Sequence, residues 1–208
     1  MSNEVKTKEK IDMDPKYIVK LTVTLLGTCL IVALLLGLVN GVTADKIAAM
    51  NAAATQTALE AVTEAGSTYD EITSIPQEVM DAAKEMGGTL EEMYTVTFDG
   101  QPAGYAVKLT ASGSQGLIEM VIGVDAEQKI TGISVVNHSE TSGIGSKVMG
   151  NEPLTNGTGV LDQFIGKSAA DGTLSVGSNV DAITGATVST KGVTTGVNAA
   201  LAVAGVIG

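Results

Sequence analysis

The sequence predicts an α+β protein with one N-terminal transmembrane helix. Three observations support this class: an apolar run over residues 21–39, alternating apolar and polar residues between 94 and 137, and an Ala/Val-rich run that closes the chain. Alternation with a period of two is typical of half-buried strands. The elements show no βαβ repeat and no GxGxxG fingerprint after a strand, so a Rossmann architecture is not expected.

The apolar run from Leu21 to Val39, with Tyr17–Val19 before it, is long enough to cross a bilayer as a helix. Several lysines precede it and only Lys46 follows closely, so the positive-inside rule places the N-terminus in the cytoplasm. A cleaved signal peptide is the alternative, with residues 42–44 as a weak cleavage site, but its apolar region would be shorter. We therefore predict a cytoplasmic tail (1–16), a transmembrane anchor (17–42), a helical stalk or linker (43–90) and an extracytoplasmic domain (91–208).

The composition excludes several classes of function. The formal net charge is −11 and all twelve basic residues are lysines, which argues against nucleic-acid binding and removes the usual arginine clamp for phosphate. A single cysteine, Cys29, excludes an internal disulfide framework. A single histidine, His138, has no His or Cys cluster with which to form a metal site, so we expect no metal.

The elements between the anchor and the C-terminus follow from local patterns. Alanine-rich residues 44–65 predict a stalk helix with a thin apolar stripe that packs loosely, and residues 76–86 a short helix. About four antiparallel strands follow, each with one face toward a core, and a Gly/Ser-rich loop at 111–116 joins two of them. A last helix is predicted over 191–206, where Gly192 and Gly196 allow close packing on the sheet or on a cofactor.

Small residues and hydroxyls are concentrated where a loop enters the last helix, in Asp181-Ala-Ile-Thr-Gly-Ala-Thr187. Glycine and alanine let another molecule approach the backbone, and a helix start offers free N–H groups to an anion. The hydroxyls of Thr187, Ser189 and Thr190 lie at this point. From the residues alone, two interpretations stay open: one hydroxyl is an ordinary N-cap, or one carries a group covalently.

This segment resembles the flavinylation signature Asp-x-x-(Ser/Thr)-Gly-Ala-Thr of an FMN-binding domain family. That family includes the G subunit of the Rnf complex and the C subunit of the Na+-translocating NADH:quinone reductase. The resemblance implies that Thr187 carries FMN through a phosphoester installed by a flavin transferase that uses FAD. It also implies that Asp181 orients Thr187 or is recognised by the transferase. The residues thereby expected to bind the cofactor are Asp181, Thr184, Gly185, Ala186, Thr187 and Ser189.

A second loop, residues 137–147, resembles the His-x-Glu-Thr-Pro-Gly-Leu-Gly loop that lies against the flavin in the same family. Ser142 replaces the usual proline, which loosens the loop, and Ile144 replaces leucine, which keeps an apolar contact for a ring face. The resemblance implies that Lys147 places its charge near the pyrimidine edge of the flavin. The residues expected to line the cofactor are Glu140, Thr141, Gly143, Ile144, Gly145 and Lys147. A third segment, residues 163–167, resembles the family's Gln-Phe-x-Gly-Lys, and we expect it to be structural.

These resemblances imply an electron-relay subunit with covalent FMN and no independent acid–base catalysis, in the cytoplasmic membrane. Its complex would exchange electrons between ferredoxin and NAD and transport Na+ or H+. The implied partners are other membrane and peripheral subunits, the flavin transferase and the lipid bilayer. The alternatives are a quinone reductase C subunit, a stand-alone extracytoplasmic flavoprotein, and a flavin-less membrane-anchored binding or scaffold protein.

Overall fold

The computed structural model describes residues 14–207. The first thirteen residues, which make up most of the predicted cytoplasmic tail, and Gly208 lie outside the described residues. The predicted class is confirmed, because a long N-terminal helix precedes a five-stranded antiparallel sheet with flanking helices. The chain forms two compact units, one up to Met50 and one from Asn51 onward.

Helix α1 runs from Pro15 to Val62. Its part up to Met50 belongs to the first unit and its last turns belong to the second. The side-chain carboxylate of Asp14 accepts the backbone N–H of Lys16 at 3.0 Å and so caps its start. Its most apolar stretch is long enough to cross a membrane and has none of its residues buried in the fold. This exposed apolar helix indicates membrane anchoring. The stalk helix predicted over 44–65 is a continuation of the same helix rather than a separate element.

The second unit contains a sheet whose strands follow one another in sequence order. They are β1 (Thr68–Glu71), β2 (Gly88–Phe98), β3 (Gln101–Ser112), β4 (Leu117–Asp125) and β5 (Ile130–His138). Helix α2 (Gln77–Glu85) lies between β1 and β2 in the chain, where the short helix was predicted. The sequence pattern predicts about four strands, and β1 is not among them. That edge strand has only four residues, two of them acidic, and lacks a buried face that a pattern could show.

One face of the sheet is covered by helix α4 (Thr187–Ile207) and by α2. Helix α4 starts four residues earlier than predicted, so Thr187 is its first residue. By length and composition α4 could also cross a membrane, but 61% of its most apolar window is buried inside the fold, as in a core helix. The largest buried side chains on this side are Phe164, Met93, Leu109, Ile118, Met120 and Ile122.

The opposite face of the sheet packs against the last turns of α1. The prediction of a loosely packed stalk was wrong here, because Gly123 and Gly132 are paired in register and together leave room for Val62. A Cβ atom at Gly132 would lie 3.2 Å from the Cα of Val62. The hydroxyl of Thr131 donates to the carbonyl of Val62 at 2.6 Å and ends the helix. The buried apolar residues of this cluster are Ala58, Leu59, Val62, Val96, Ala106 and Val121.

Candidate functional site

The segment that leads into α4 contains a tight turn. The N–H of Ala186 donates to the carbonyl of Ile183 at 2.9 Å, and Gly185 has a φ of 85°. This left-handed conformation favours glycine, and the space around a Cβ at Gly185 is open, so backbone conformation rather than crowding requires the glycine. Ala186 is buried by the turn, and the side chain of Thr187 is exposed.

The first turn of α4 leaves polar groups available. In the described part of the chain, the N–H groups of Thr187, Val188 and Ser189 donate to no acceptor, and the Thr187 hydroxyl makes no hydrogen bond. The Thr190 N–H is the first to pair, with the Ala186 carbonyl at 3.0 Å, and the Thr190 hydroxyl donates to the same oxygen at 3.1 Å. Among residues 14–207, therefore, none of the three hydroxyls acts as the N-cap acceptor that the simpler interpretation requires.

A buried carboxylate, Glu140, connects three separate segments at this end of the sheet. Its Oε1 accepts the N–H of Ser114 at 2.7 Å and that of Gln115 at 3.1 Å, and its Oε2 accepts the hydroxyl of Ser189. Burial by itself raises the pKa of Glu140. The hydrogen bonds from Ser189, Gln115 and Ser114, with the nearby His138, outweigh burial and hold the pKa below its ordinary value. Glu140 is therefore a buried anion at neutral pH.

Glycines make this convergence sterically possible. A Cβ at Gly113 would collide with the Glu140 carboxylate, and one at Gly145 would lie 2.5 Å from Glu140 Oε2 and 2.7 Å from the Ser189 hydroxyl. A Cβ at Gly192 would lie 2.7 Å from the Ser112 carbonyl, so this glycine lets α4 approach β3 closely. The expectation that Gly192 allows close packing on the sheet is confirmed.

The loop after β5 forms a compact turn that leads into the short helix α3 (Gly145–Met149). The N–H groups of Ile144 and Ser146 both donate to the Thr141 carbonyl at 3.2 Å, and the Gly143 N–H donates to the Ser146 hydroxyl at 2.8 Å. The side chain of Ile144 is 48% exposed. The loop therefore presents an apolar side chain outward while Glu140, a few residues earlier, is held inside.

Exposed apolar side chains lie on all three segments that meet at Glu140. Leu117 follows the β3–β4 loop and is 61% exposed, Ile144 belongs to the loop after β5, and Val188 in α4 is 54% exposed. Lys147 lies in α3, with its Nζ 3.8 Å from a carboxylate oxygen of Glu152. The predicted contact of Lys147 with a flavin edge stays a prediction.

The segment around Gln163 positions Asp181. The Gln163 side chain donates from Nε2 to the Asp181 carbonyl at 2.9 Å and accepts the Asp181 N–H at 2.8 Å. Phe164 beside it is fully buried, as expected of a structural residue. The Asp181 side chain is exposed, and within residues 14–207 its carboxylate accepts no hydrogen bond. The fold therefore fixes the Asp181 backbone and leaves its charge available to another molecule.

The loop at 113–116 was predicted only as a connector between strands. The topology explains its place in the site. Strand β4 begins at this loop and β5 runs antiparallel to β4, so the last residues of β5 lie at the same end of the sheet as the loop. Ile118 and His138 are paired there. The Gly/Ser composition of the loop was the only local signal, and it does not distinguish a carboxylate-binding loop from an ordinary hairpin.

Known proteins resemble this chain over the same region. A family model described as the FMN-binding domain matches residues 113–202, which include all three segments that meet at Glu140. The chain is 35% identical over 211 residues to the G subunit of the Na+-translocating ferredoxin:NAD+ oxidoreductase complex of Acetobacterium woodii, covering 96% of this chain and 97% of the relative. The chain belongs to the family of G subunits of ion-translocating oxidoreductase complexes.

Other G subunits match with similar identity. That of the ion-translocating oxidoreductase complex of Methanosarcina acetivorans is 30% identical over 191 residues, covering 90% of this chain and 95% of the relative. That of the proton-translocating ferredoxin:NAD+ oxidoreductase complex of Clostridium ljungdahlii is 30% identical over 115 residues, covering 53% and 58%. The resemblance found in the sequence is thus confirmed at the level of the family, and the chain carries its FMN-binding domain.

Proposed function

We propose that this chain is the membrane-anchored electron-relay subunit of an Rnf-type complex and carries FMN on Thr187 through a phosphoester. The observation that carries the proposal is the exposed, unbonded hydroxyl of Thr187 at the first position of α4, inside the signature segment. In the attachment step, the transferase replaces the pyrophosphate bond of FAD with a bond from phosphorus to the Thr187 oxygen. AMP and the hydroxyl proton leave.

The start of α4 suits a phosphodiester. The N–H groups of Thr187, Val188 and Ser189 have no acceptor within the described residues, and the positive end of the helix dipole favours an anion. Covalent attachment keeps the cofactor bound outside the cytoplasm irrespective of its affinity. It also reduces the need for an arginine clamp, in agreement with a chain that contains no arginine.

The surroundings of Thr187 suit an aromatic ring system. Val188, next to Thr187, and Ile144, in the loop before α3, expose apolar side chains that would hold and orient the isoalloxazine. FMN, when bound, supplies the electron-transfer chemistry that the side chains of this protein lack. Lys147, which is half-exposed on α3, would place a positive charge near the ring.

Asp181 would serve recognition by the transferase. Gln163 fixes the Asp181 backbone, and the carboxylate is exposed without a hydrogen bond from residues 14–207. A residue with a fixed backbone and an exposed carboxylate is well placed to contact a second protein. Thr184 and Gly185 are less buried than Ala186 and lie between Asp181 and Thr187. The transferase would contact them together with Asp181.

We further propose that α1 crosses the cytoplasmic membrane with the N-terminus inside and the FMN domain outside. The lysine bias of the sequence supports this orientation. The near-complete alignments with two G-subunit relatives favour this assignment over a quinone reductase C subunit. Two of the relatives are named for ferredoxin:NAD+ chemistry and for Na+ or proton translocation. We propose the same coupled reaction, with one of these ions, for the complex that contains this chain.

Denaturing gel electrophoresis under ultraviolet light tests the attachment. The full chain, co-expressed with a flavin transferase and exported, should give a fluorescent band that is absent in Thr187→Ala. Thr195→Ala, in the same helix, is the matched control and should stay fluorescent. Circular dichroism should show the same fold in all three proteins. Fluorescence retained in Thr187→Ala would reject the assignment, and a dark wild-type band would favour the flavin-less scaffold.

A further inference from the structure

We propose that Glu140 is a positioning residue for flavin attachment: through Ser189 it fixes the rotation of the first turn of α4, so that the Thr187 hydroxyl faces outward. This inference rests on the proposed function of Thr187. It differs from the expectation drawn from the family resemblance, in which Glu140 lines the cofactor directly. The structure instead places its carboxylate behind the helix, on the buried side.

The geometry of an α-helix links the direction of Ser189 to that of Thr187. Residues two apart point about 200° away from each other around the helix axis, so Thr187 and Ser189 lie on nearly opposite sides of the first turn. Ser189 is 2% exposed, whereas the Thr187 side chain is exposed. A contact that holds Ser189 inward therefore turns Thr187 outward, and a helix start without that contact is free to fray or rotate.

Glu140 is itself rigidly held. Its Oε1 accepts the two N–H groups of the β3–β4 loop, from Ser114 and Gln115, and its Oε2 accepts the Ser189 hydroxyl. The glycines at 113 and 145 close around the carboxylate with no room for a Cβ atom. With 7% of its surface exposed, the residue has little freedom to adopt another rotamer. Glu140 thus fixes the start of α4 relative to the sheet.

A positioning residue and a merely structural residue affect the attachment reaction differently. A structural residue affects attachment only through the fraction of molecules that is folded. A positioning residue also slows the reaction of molecules that are fully folded, because the attacking hydroxyl is less often aimed at the FAD phosphorus. The informative readout is therefore the initial rate of attachment per folded molecule, measured beside thermal stability.

The experiment uses the full-length apo chain in detergent with purified flavin transferase and FAD, and follows covalent flavin by in-gel fluorescence over time. Ser189→Ala and Glu140→Ala should each lower the initial rate about tenfold or more, since displacements of an ångström cost large factors in rate. Glu140→Gln should recover much of the loss, because its amide oxygen still accepts the loop N–H groups and its NH2 still reaches Ser189. Val62→Ala, on the opposite face of the sheet, is the control for general destabilisation and should react at the wild-type rate.

Wild-type rates in folded Ser189→Ala and Glu140→Ala would overturn the inference and leave the proposed function intact. An equal slowing in Val62→Ala, at the same folded fraction, would also overturn it and assign Glu140 a purely structural role. A wild-type chain that acquires no covalent flavin would overturn the proposed function, and the inference with it. These outcomes are distinguishable because the wild type and all variants are assayed together.

Discussion

The side chain of Gln163 pairs with the backbone of Asp181 through two hydrogen bonds, of 2.8 and 2.9 Å, in the manner of one peptide group with another. The same amide also donates to the Val160 carbonyl at 2.8 Å. Since Phe164 beside it is fully buried, Gln163 extends from a rigid part of the core. The start of the segment that ends at Thr187 is therefore positioned by a residue outside that segment.

Gln163→Ala should lower the free energy of unfolding by about 1.5–3 kcal/mol, because it removes three hydrogen bonds and each usually contributes about 0.5–1 kcal/mol net. It should also slow flavin attachment, because the Asp181 end of the segment loses its support. Urea unfolding of the full chain measures the first effect. Gln77→Ala, which removes an exposed hydrogen bond to Asp81 in α2, is the control and should change stability by less than about 0.5 kcal/mol. Equal losses in both variants would contradict the special role of Gln163.

Two glycines of α4 should respond in opposite ways to the same substitution. Gly192→Ala places a Cβ 2.7 Å from the Ser112 carbonyl, a backbone atom that cannot move independently, and should cost about 1–3 kcal/mol as an overpacking change. Gly205→Ala meets open space in the same helix and should stabilise it by about 0.5–1 kcal/mol. Thermal unfolding of the two variants measures the difference. A tolerated Gly192→Ala would show that α4 does not lie against β3 as closely as the structure has it.

Acid should weaken the fold partly through Glu140. Its pKa in the folded chain lies below the ordinary value of 4.5, so the unfolded chain takes up the proton more readily. The contribution of the ionised carboxylate to stability is therefore present above pH 4.5. It is lost as the pH falls through the lower pKa that Glu140 has in the folded chain. Urea unfolding from neutral pH into the acid range should show a shallower loss in Glu140→Gln than in the wild type.

The control for this pH dependence is Glu152→Gln. Glu152 is exposed and lies 3.8 Å from Lys147, and exposed pairs of this kind contribute little to stability. Glu152→Gln should therefore lose stability in acid as the wild type does. If Glu140→Gln loses as much stability in acid as the wild type, the ionised carboxylate does not contribute to the stability of the fold.

Local patterns predicted the parts of this protein that are encoded locally. The apolar length of α1, the alternation in β2 to β5 and the signature at Asp181–Thr187 could all be read from neighbouring residues. The short strand β1 could not, because none of its four residues is buried and they carry no periodic signal. Neither could the continuity of α1, whose anchor and stalk parts were predicted as separate elements, nor the packing of Val62 against Gly123 and Gly132.

The candidate site was predictable as a list of residues but not as an arrangement. Glu140 and Ser189 are 49 positions apart, and Gln163 and Asp181 are 18 apart. Such contacts depend on which strands and loops the topology brings to the same end of the sheet. The family resemblance supplied Glu140, whereas the loop donors Ser114 and Gln115 became visible only with the fold. The N-cap interpretation, open from the sequence, lost its support for the same reason, because the Ser189 hydroxyl points to Glu140.

Mass spectrometry of a tryptic digest tests the central claim most directly. Cleavage after Lys167 and Lys191 releases residues 168–191, which contain the whole signature segment. In protein matured with a flavin transferase, this peptide should be heavier by one FMN less one water, and fragmentation should place the group on Thr187. An unmodified peptide, or a flavin located on Thr184 or Ser189, would contradict the assignment of Thr187 as the attachment residue.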